Sequence, residues 1–442
     1  MSSLEIGMAA VAVMLVMILI GVPIAISLFL SGFGGIAFMR GNVELAGVLT
    51  ASSIYADLSK YIFGTIPLFI LMGVLIAQSS IGRETFYVMH RGLNWLRGGL
   101  GIATVGANAV FAAVTGVSIA SVAVFSKVAV PEMLRYGYDT RFAVGVVAGS
   151  SVLGMMLPPS LLLIVYAILA EVSIGDMFVA GILPGLLIAV TYAIAIIGFG
   201  YFRPAMVGHT ATPSLPVDDP LAGRSSFMLL GPVVLLIVIV LGGIYSGIFS
   251  PTESGAAGAL AALLIVAAKR QLTWRKLGAI LHETASVTAA VAIILAAAAV
   301  YGKMLTFSGL PSWIAGSLSG SGMEFMSILV IYLILLIVLG LLLDSTSILL
   351  IAVPLFLPVM LAGGADPIWF GIITVLAVEI GLLTPPVGLA CFVLKSSLSD
   401  RDISLQQIFA GALPFAILMV VVLTFIVLVP GTATFLVHLS RG

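Results

Sequence analysis

Long apolar runs separated by short polar breaks recur along the chain from Ile6 to about Val429. Polar residues do not alternate with apolar ones inside a run. The pattern therefore fits helices of bilayer-crossing length, roughly 17–25 residues, and not the every-other-residue alternation of barrel strands. The breaks predict two short passes meeting at Gly21, Val22 and Pro23, an interfacial stretch over 40–60 and a span over 61–78. A helical hairpin over about 98–133, a helix over about 142–170 and a span over 177–201 complete a first half, 1–202. The segment "RPAMVGHTATPSLPVDDPLAGRSS", 203–226, carries four prolines and reads as a loop. A second half, 227–442, repeats the plan: a span over 227–249, a short span to Ala268, the basic stretch "KRQLTWRK" and a helix to about Val300. A hairpin over about 325–362, a helix over about 367–394 and a final helix over 408–429 follow.

Composition fixes the solvent of these helices. With 61% hydrophobic and 8% charged residues, the chain has too little polar surface to stand in water, so the fold class is an all-α polytopic membrane protein. The first run lacks a basic leader region and a small-residue cleavage site, and is expected to be a retained span. Balanced charge, 18 basic against 18 acidic residues, gives no reason to expect nucleic acid. The lone Cys391 excludes a disulfide framework within the chain.

Basic residues give the orientation. Arg83, Arg91 and Arg97 precede the first hairpin and Lys127, Arg135 and Arg141 follow its tip. A full crossing would leave one cluster on the wrong side of the membrane, so a re-entrant hairpin from the cytoplasmic face is expected, its tip at "TGVSIAS", 115–121. The second hairpin has no Lys or Arg between Lys303 and Lys395 and is flanked by Glu324 and Asp366, which suits the outer face. In this topology 14 of 18 basic residues lie inside, the exceptions being Arg40, Lys60, Lys303 and Arg441.

Both halves carry a double proline deep in an apolar run, "GMMLPPS" at 154–160 and "GLLTPPVG" at 381–388. An offset of 227 lays Pro158-Pro159 on Pro385-Pro386 and extends without gaps to Pro131 on Pro358, with 8 identities in 29 positions. The same offset lays Ser118 on Ser345. The chain is thus expected to be two inverted structural repeats, each with a re-entrant hairpin and a Pro-Pro-broken helix, an arrangement found in secondary transporters.

The breaks predict the chemistry. Proline lacks an N–H, so Pro158-Pro159 deprive the carbonyls of Gly154 and Met155 of helical donors, and Pro385-Pro386 do the same to Gly381 and Leu382. Leu157 and Thr384, each before a proline, are pushed towards extended backbone. Freed carbonyls facing hydroxyl-bearing tips form an oxygen-rich site for a hard cation, and sodium is the expected ion. The first sodium site is expected from Thr115, Gly116, Ser118, Ser121, Gly154 and Leu157. The second is expected from Asp344, Ser345, Thr346, Gly381, Thr384 and Pro385. Asp344 is the one carboxylate at either tip, and an ionisable group at membrane depth marks an ion path. Glu379 either bonds a neighbouring helix or carries a proton. A single proline kink has a purely structural explanation, and single hydroxyls commonly glue helices together; two kinks in opposed repeats, each facing a polar tip, favour the ion-site reading. His90, His209, His282 and His438 fall near predicted surfaces or loops, and "HET" at 282–284 lacks the second His of a zinc helix.

The segments "VPEMLRYGYDTRFAVGVVAGSSVLGMMLPPS", "SIGDMFVAGILPG" and "DPIWFGIITVLAVEIGLLTPPVG" make the chain resemble the large membrane subunit of tripartite ATP-independent periplasmic (TRAP) transporters, over nearly its whole length. Where that family's first tip reads close to Ser-Gly-Ser-Ser, this chain has Thr115-Gly116-Val117-Ser118. The resemblance implies a sodium symporter of the bacterial inner membrane that imports an organic acid by an elevator motion. It implies two partners, a small four-helix membrane subunit and a periplasmic substrate-binding protein. Substrate contacts are expected at Ser118, Pro159, Ser345 and Pro386. A self-sufficient divalent anion sodium symporter shares the architecture, but its tips carry Ser-Asn-Thr, and the asparagines here are Asn42, Asn94 and Asn108. An intramembrane enzyme would need a nucleophile with its base, or a ligand cluster, at one depth, and none is seen; a channel has little use for two opposed proline breaks.

Overall fold

The structure, a computed structural model, describes residues 1–93, 95–208, 221, 223–320 and 324–441. Most of the expected loop over 203–226, with His209 and Asn94, lies outside the described residues. Among the described residues every regular element is helical, and one isolated bridge pairs Tyr138 with Val207. Among the described residues six helices are long and apolar enough to cross a membrane, or eight if two bent pairs each count as one span. The chain is a multi-pass, all-α membrane protein.

Local chemistry sets the helix ends. Ser2 with Glu5, Ser250 with Glu253 and Ser404 with Gln407 form reciprocal caps at the starts of Ser3–Leu19, Pro251–Ala268 and Leu405–Leu428, satisfying amides that have no partner inside the helix. One boundary differs from the sequence expectation. The helix expected to stop near Val300 runs from Trp274 to Ser308, because the polar step at Lys303 is accommodated on the helix surface, its ammonium 5.4 Å from the Phe307 ring. It ends at Gly309, whose φ of 69° breaks the helix. Two further helices, Leu310–Gly320 and Gly431–Arg441, were not foreseen.

Two packed groups organise the helices. In one, Trp274–Ser308 lies along Ile24–Arg40, Val43–Leu58 and Thr65–Ala77, and Pro251–Ala268 packs on Thr65–Ala77. Glycine permits the closest of these approaches: a Cβ on Gly32 would lie 2.9 Å from the Tyr301 backbone. Such small-residue contacts hold helices together where lipid removes any hydrophobic advantage of burial. Thr65 and Thr252 add a buried hydroxyl pair at 2.7 Å. In the other group, Thr140–Ser151 packs on Leu405–Leu428 and Phe325–Gly340 on Pro367–Leu383. Here Gly145 meets Gly411 backbone to backbone, leaving no room for a side chain on either.

Ile81–Leu93 joins the groups. It packs on Gly99–Thr115, while its first turn is held to the loop after Pro251–Ala268. There Lys269 Nζ lies 2.8 and 2.6 Å from the two carboxylate oxygens of the buried Glu84. Gln271 accepts from the Ser80 amide at 2.9 Å and donates to the Ser80 hydroxyl at 2.7 Å.

Candidate ion and substrate site

Two helix pairs end in tips. Gly99–Thr115 turns through Gly116 and Val117 into Ser118–Arg135, and Phe325–Gly340 turns through residues 341–344 into Ser345–Ala362. The second turn is longer than the first, and Ser345, Thr346 and Ser347 belong to the first turn of the outgoing helix rather than to the loop. Each tip has a companion helix interrupted at its double proline. The first runs as Thr140–Ser151 and Leu153–Met156 and resumes at Leu161–Ala170 after a 40° bend. The second runs as Pro367–Leu383 and resumes at Leu389–Ser397. Leu157 (φ −78°, ψ 131°) and Thr384 (φ −101°, ψ 138°) are extended, as a following proline requires. Both Pro-Pro bonds are cis.

At the first tip the two elements interlock. Gly116 adopts φ +64°, and a Cβ there would collide with the Pro159 carbonyl oxygen. Its own carbonyl accepts the Leu161 amide at 3.1 Å across the break. Gly154 lies against the backbone of Ser118, with no more than 3.1 Å available to a Cβ. The structure thus brings Gly116, Ser118, Gly154 and Pro159 together. Thr115 returns its hydroxyl to Phe111, while Ser121 Oγ is buried with no hydrogen-bond partner among the described residues. Phe69, Ile70 and Met72 cover the tip from Thr65–Ala77 and, with Thr115, Gly116, Val117, Pro159 and Leu161, line a cavity of about 10 Å³.

The second tip is held differently. Asp344 caps its helix, accepting from the Ser347 amide at 3.1 Å and from the Ser347 hydroxyl. Ser345 donates to Glu379 Oε1 at 2.9 Å, both residues being buried. Glu379 is therefore bonded to a neighbouring helix. Gly381 packs on Gly340 rather than on Ser345, so the 227 offset does not carry the first tip's contacts over intact. Pro385 and Pro386 are exposed, whereas Pro158 and Pro159 are buried. The Thr346 side chain makes no hydrogen bond to another described residue.

The freed carbonyls correct the sequence reading in part. Met155 O accepts the Ser160 hydroxyl and Gly381 O the Thr384 amide at 3.0 Å, while the Thr384 hydroxyl turns back to Ile380 O at 2.7 Å. A serine directly after the prolines, or a tightened last turn, recovers part of what proline removes. Leu157 keeps an ordinary link to Leu153 through its own amide, 2.9 Å. Sequence reasoning missed the bonds that brace each unit, Asn108 Nδ2 to Ser150 Oγ at 2.6 Å and Tyr332 to Thr374 at 3.0 Å, and the bond that ties the two broken helices together, Tyr166 OH to Pro367 O at 2.6 Å. An amide inside an apolar run was a signal for the first of these. No group of three or more His, Cys, Asp or Glu gathers among the described residues, so the site offers a cation neutral oxygens and isolated carboxylates.

Residues 11–432 match the profile of the tripartite ATP-independent periplasmic transporter, DctM component. The C4-dicarboxylate TRAP transporter large permease protein of Vibrio cholerae is 31% identical, with 96% of each chain covered. The isethionate TRAP transporter permease protein DctMQ of Oleidesulfovibrio alaskensis is 32% identical over 95% of this chain and 64% of that one. The solved YdaH transporter of Alcanivorax borkumensis shares the fold, with a TM-score of 0.63 at 12% identity over 90% of this chain and 88% of that one. The two sequence relatives are named as transporter permeases and not enzymes, and with the family profile matched over 11–432, the chain belongs to the DctM family of TRAP transporter large permeases.

Proposed function

We propose that this permease imports an organic acid across the bacterial inner membrane, driven by sodium, through two inverted repeats whose tips and broken helices move against a fixed scaffold. The carrying observation is the first tip, where Gly116 meets the unwound backbone at Pro159 and Gly154 packs on Ser118, the first residue of the helix that carries the buried, unpartnered Ser121 hydroxyl. Neutral oxygens converging at an unwound turn suit a hard, weakly charged cation, and an orphaned hydroxyl favours an added ligand over an empty void. The first sodium site is assigned to Thr115, Gly116, Ser118, Ser121, Gly154 and Leu157. The second is assigned to Asp344, Ser345, Thr346, Gly381, Thr384 and Pro385. Its ligands must exchange partners, since Ser345 and Gly381 O are engaged within the chain.

The packed group of Trp274–Ser308 and its neighbours is the scaffold in this reading, and the two hairpins with their broken helices are the carriage. Relatives carrying C4-dicarboxylate and isethionate in their names support an organic anion. Ser118, Pro159, Ser345 and Pro386 are its assigned contacts. A small four-helix membrane subunit and a periplasmic binding protein complete the transporter. The test is uptake of labelled organic acids into proteoliposomes holding this chain and the small subunit. Transport that requires both inward sodium and the added binding protein supports the reading. Uptake by the chain alone favours the self-sufficient symporter, and uptake indifferent to sodium rules out the coupling.

A further inference from the structure

The two tips are related by the 227-residue offset, yet they do not carry the same charge. Asp344 stands at the cap of the second tip's outgoing helix, its carboxylate gathered over Ser347. The residue 227 positions earlier is Val117, which occupies the same cap position with extended backbone (φ −138°, ψ 119°) and no side chain to cap with. Glu379, bonded to Ser345 of the second tip, likewise falls on Val152. No Asp or Glu occurs in 98–131 or 140–170, the segments of the first tip and its broken helix, nor in Thr65–Ala77, which covers that tip. Neutral oxygens replace a cation's hydration shell in part but leave its net charge uncompensated in a low-dielectric site, whereas a fixed carboxylate adds a Coulombic attraction that offsets much of the remaining cost.

Resting on the sodium reading above, we propose that the two cation sites are unequal. The second fills with sodium by itself because Asp344 supplies the counter-charge. The first fills only when the carboxylate of the organic acid stands beside it and supplies the charge that Val117 cannot. Binding of the acid and of the first ion are then reciprocal, each strengthening the other by about tenfold or more, while the second ion binds independently of the acid. Sodium thereby prepares the permease through one site and reads the presence of cargo through the other.

The test counts radioactive sodium bound at saturation to the purified permease with its small membrane subunit, in buffer free of organic acid, with thermal unfolding in choline chloride to show that each variant is folded. One ion per chain is expected, abolished by Asp344→Asn and unaffected by Ser118→Ala. Val117→Asp, which gives the first tip the second tip's charge, is expected to add a second ion. Two ions on the unaltered chain, or one that survives Asp344→Asn but not Ser118→Ala, would overturn the inequality. An unchanged count in Val117→Asp would overturn the counter-charge as its cause. No bound ion on the unaltered chain would instead defeat the sodium reading beneath both.

Discussion

Ser345 donates its hydroxyl to Glu379 across 2.9 Å, and this bond ties the second tip to the second broken helix where neither side chain is open to solvent. Removing the acceptor strands a buried hydroxyl, which costs about 1–3 kcal/mol. Glu379→Leu is therefore expected to lower the thermal midpoint and to raise the sodium concentration for half-maximal uptake. Glu379→Gln, which keeps an acceptor, is expected to retain most of both. Equal loss in the two variants would separate the carboxyl from this bracing role.

Gly116 sits where only glycine fits, with φ +64° and no space for a Cβ beside the Pro159 carbonyl. Gly116→Ala should cost at least about 1–2 kcal/mol from the left-handed backbone alone, and more from pushing the broken helix away. Uptake should fall to background while the protein still inserts and purifies. An alanine variant with normal uptake would mean that the tip and the break need not touch.

Two lysine ion pairs should respond differently to truncation. Lys269 reaches a buried carboxylate, Glu84, whereas Lys60 bridges the exposed Asp57 at 2.9 Å and Glu171 at 3.6 Å. Leaving a buried charge unpaired costs roughly 3–5 kcal/mol, while an exposed pair contributes about 0–1 kcal/mol. Lys269→Ala should markedly destabilise the junction between Ile81–Leu93 and the end of Pro251–Ala268, and Lys60→Ala should be close to neutral. Thermal unfolding of both variants side by side checks the contrast, and Lys269→Ala paired with Glu84→Gln should recover part of the loss.

His90 lies on Ile81–Leu93, packed edge-on to Tyr136 with ring centroids 5.7 Å apart, and burial holds its imidazole below the ordinary value of 6.5. The unfolded chain therefore binds the proton first as pH falls, so stability is full above about 6.5 and is lost progressively below it. Thermal midpoints should drop between pH 7.5 and pH 5.5, and His90→Phe should flatten that part of the profile. A slope unchanged in the variant would assign the acid sensitivity to other groups.

Much of the fold was legible from local rules. The helix breaks at Leu157 and Thr384 follow from the prolines after them, and both hairpins turn within a few residues of where small and polar residues interrupt an apolar run. The helices Leu310–Gly320 and Gly431–Arg441 were not legible, because each is short and follows a glycine or proline that reads as a terminus. The site was legible as a set of residues and not as a set of contacts. Ser160 capturing Met155 O, and Thr384 turning back to Ile380, depend on rotamers that no spacing specifies.

The sequence by itself determined that this chain lives in a bilayer, that its helices break at two double prolines, and that the two breaks share a residue pattern 227 positions apart, because helix length, proline's missing N–H and an internal offset are all properties of the chain read in order. Only the tertiary structure decided which partners meet: Gly116 with Leu161, Gly154 with Ser118, Gly381 with Gly340, Ser345 with Glu379. Those contacts depend on where separate helices cross, and crossing is set by the small residues that let two backbones approach, a choice made jointly by positions far apart in the chain.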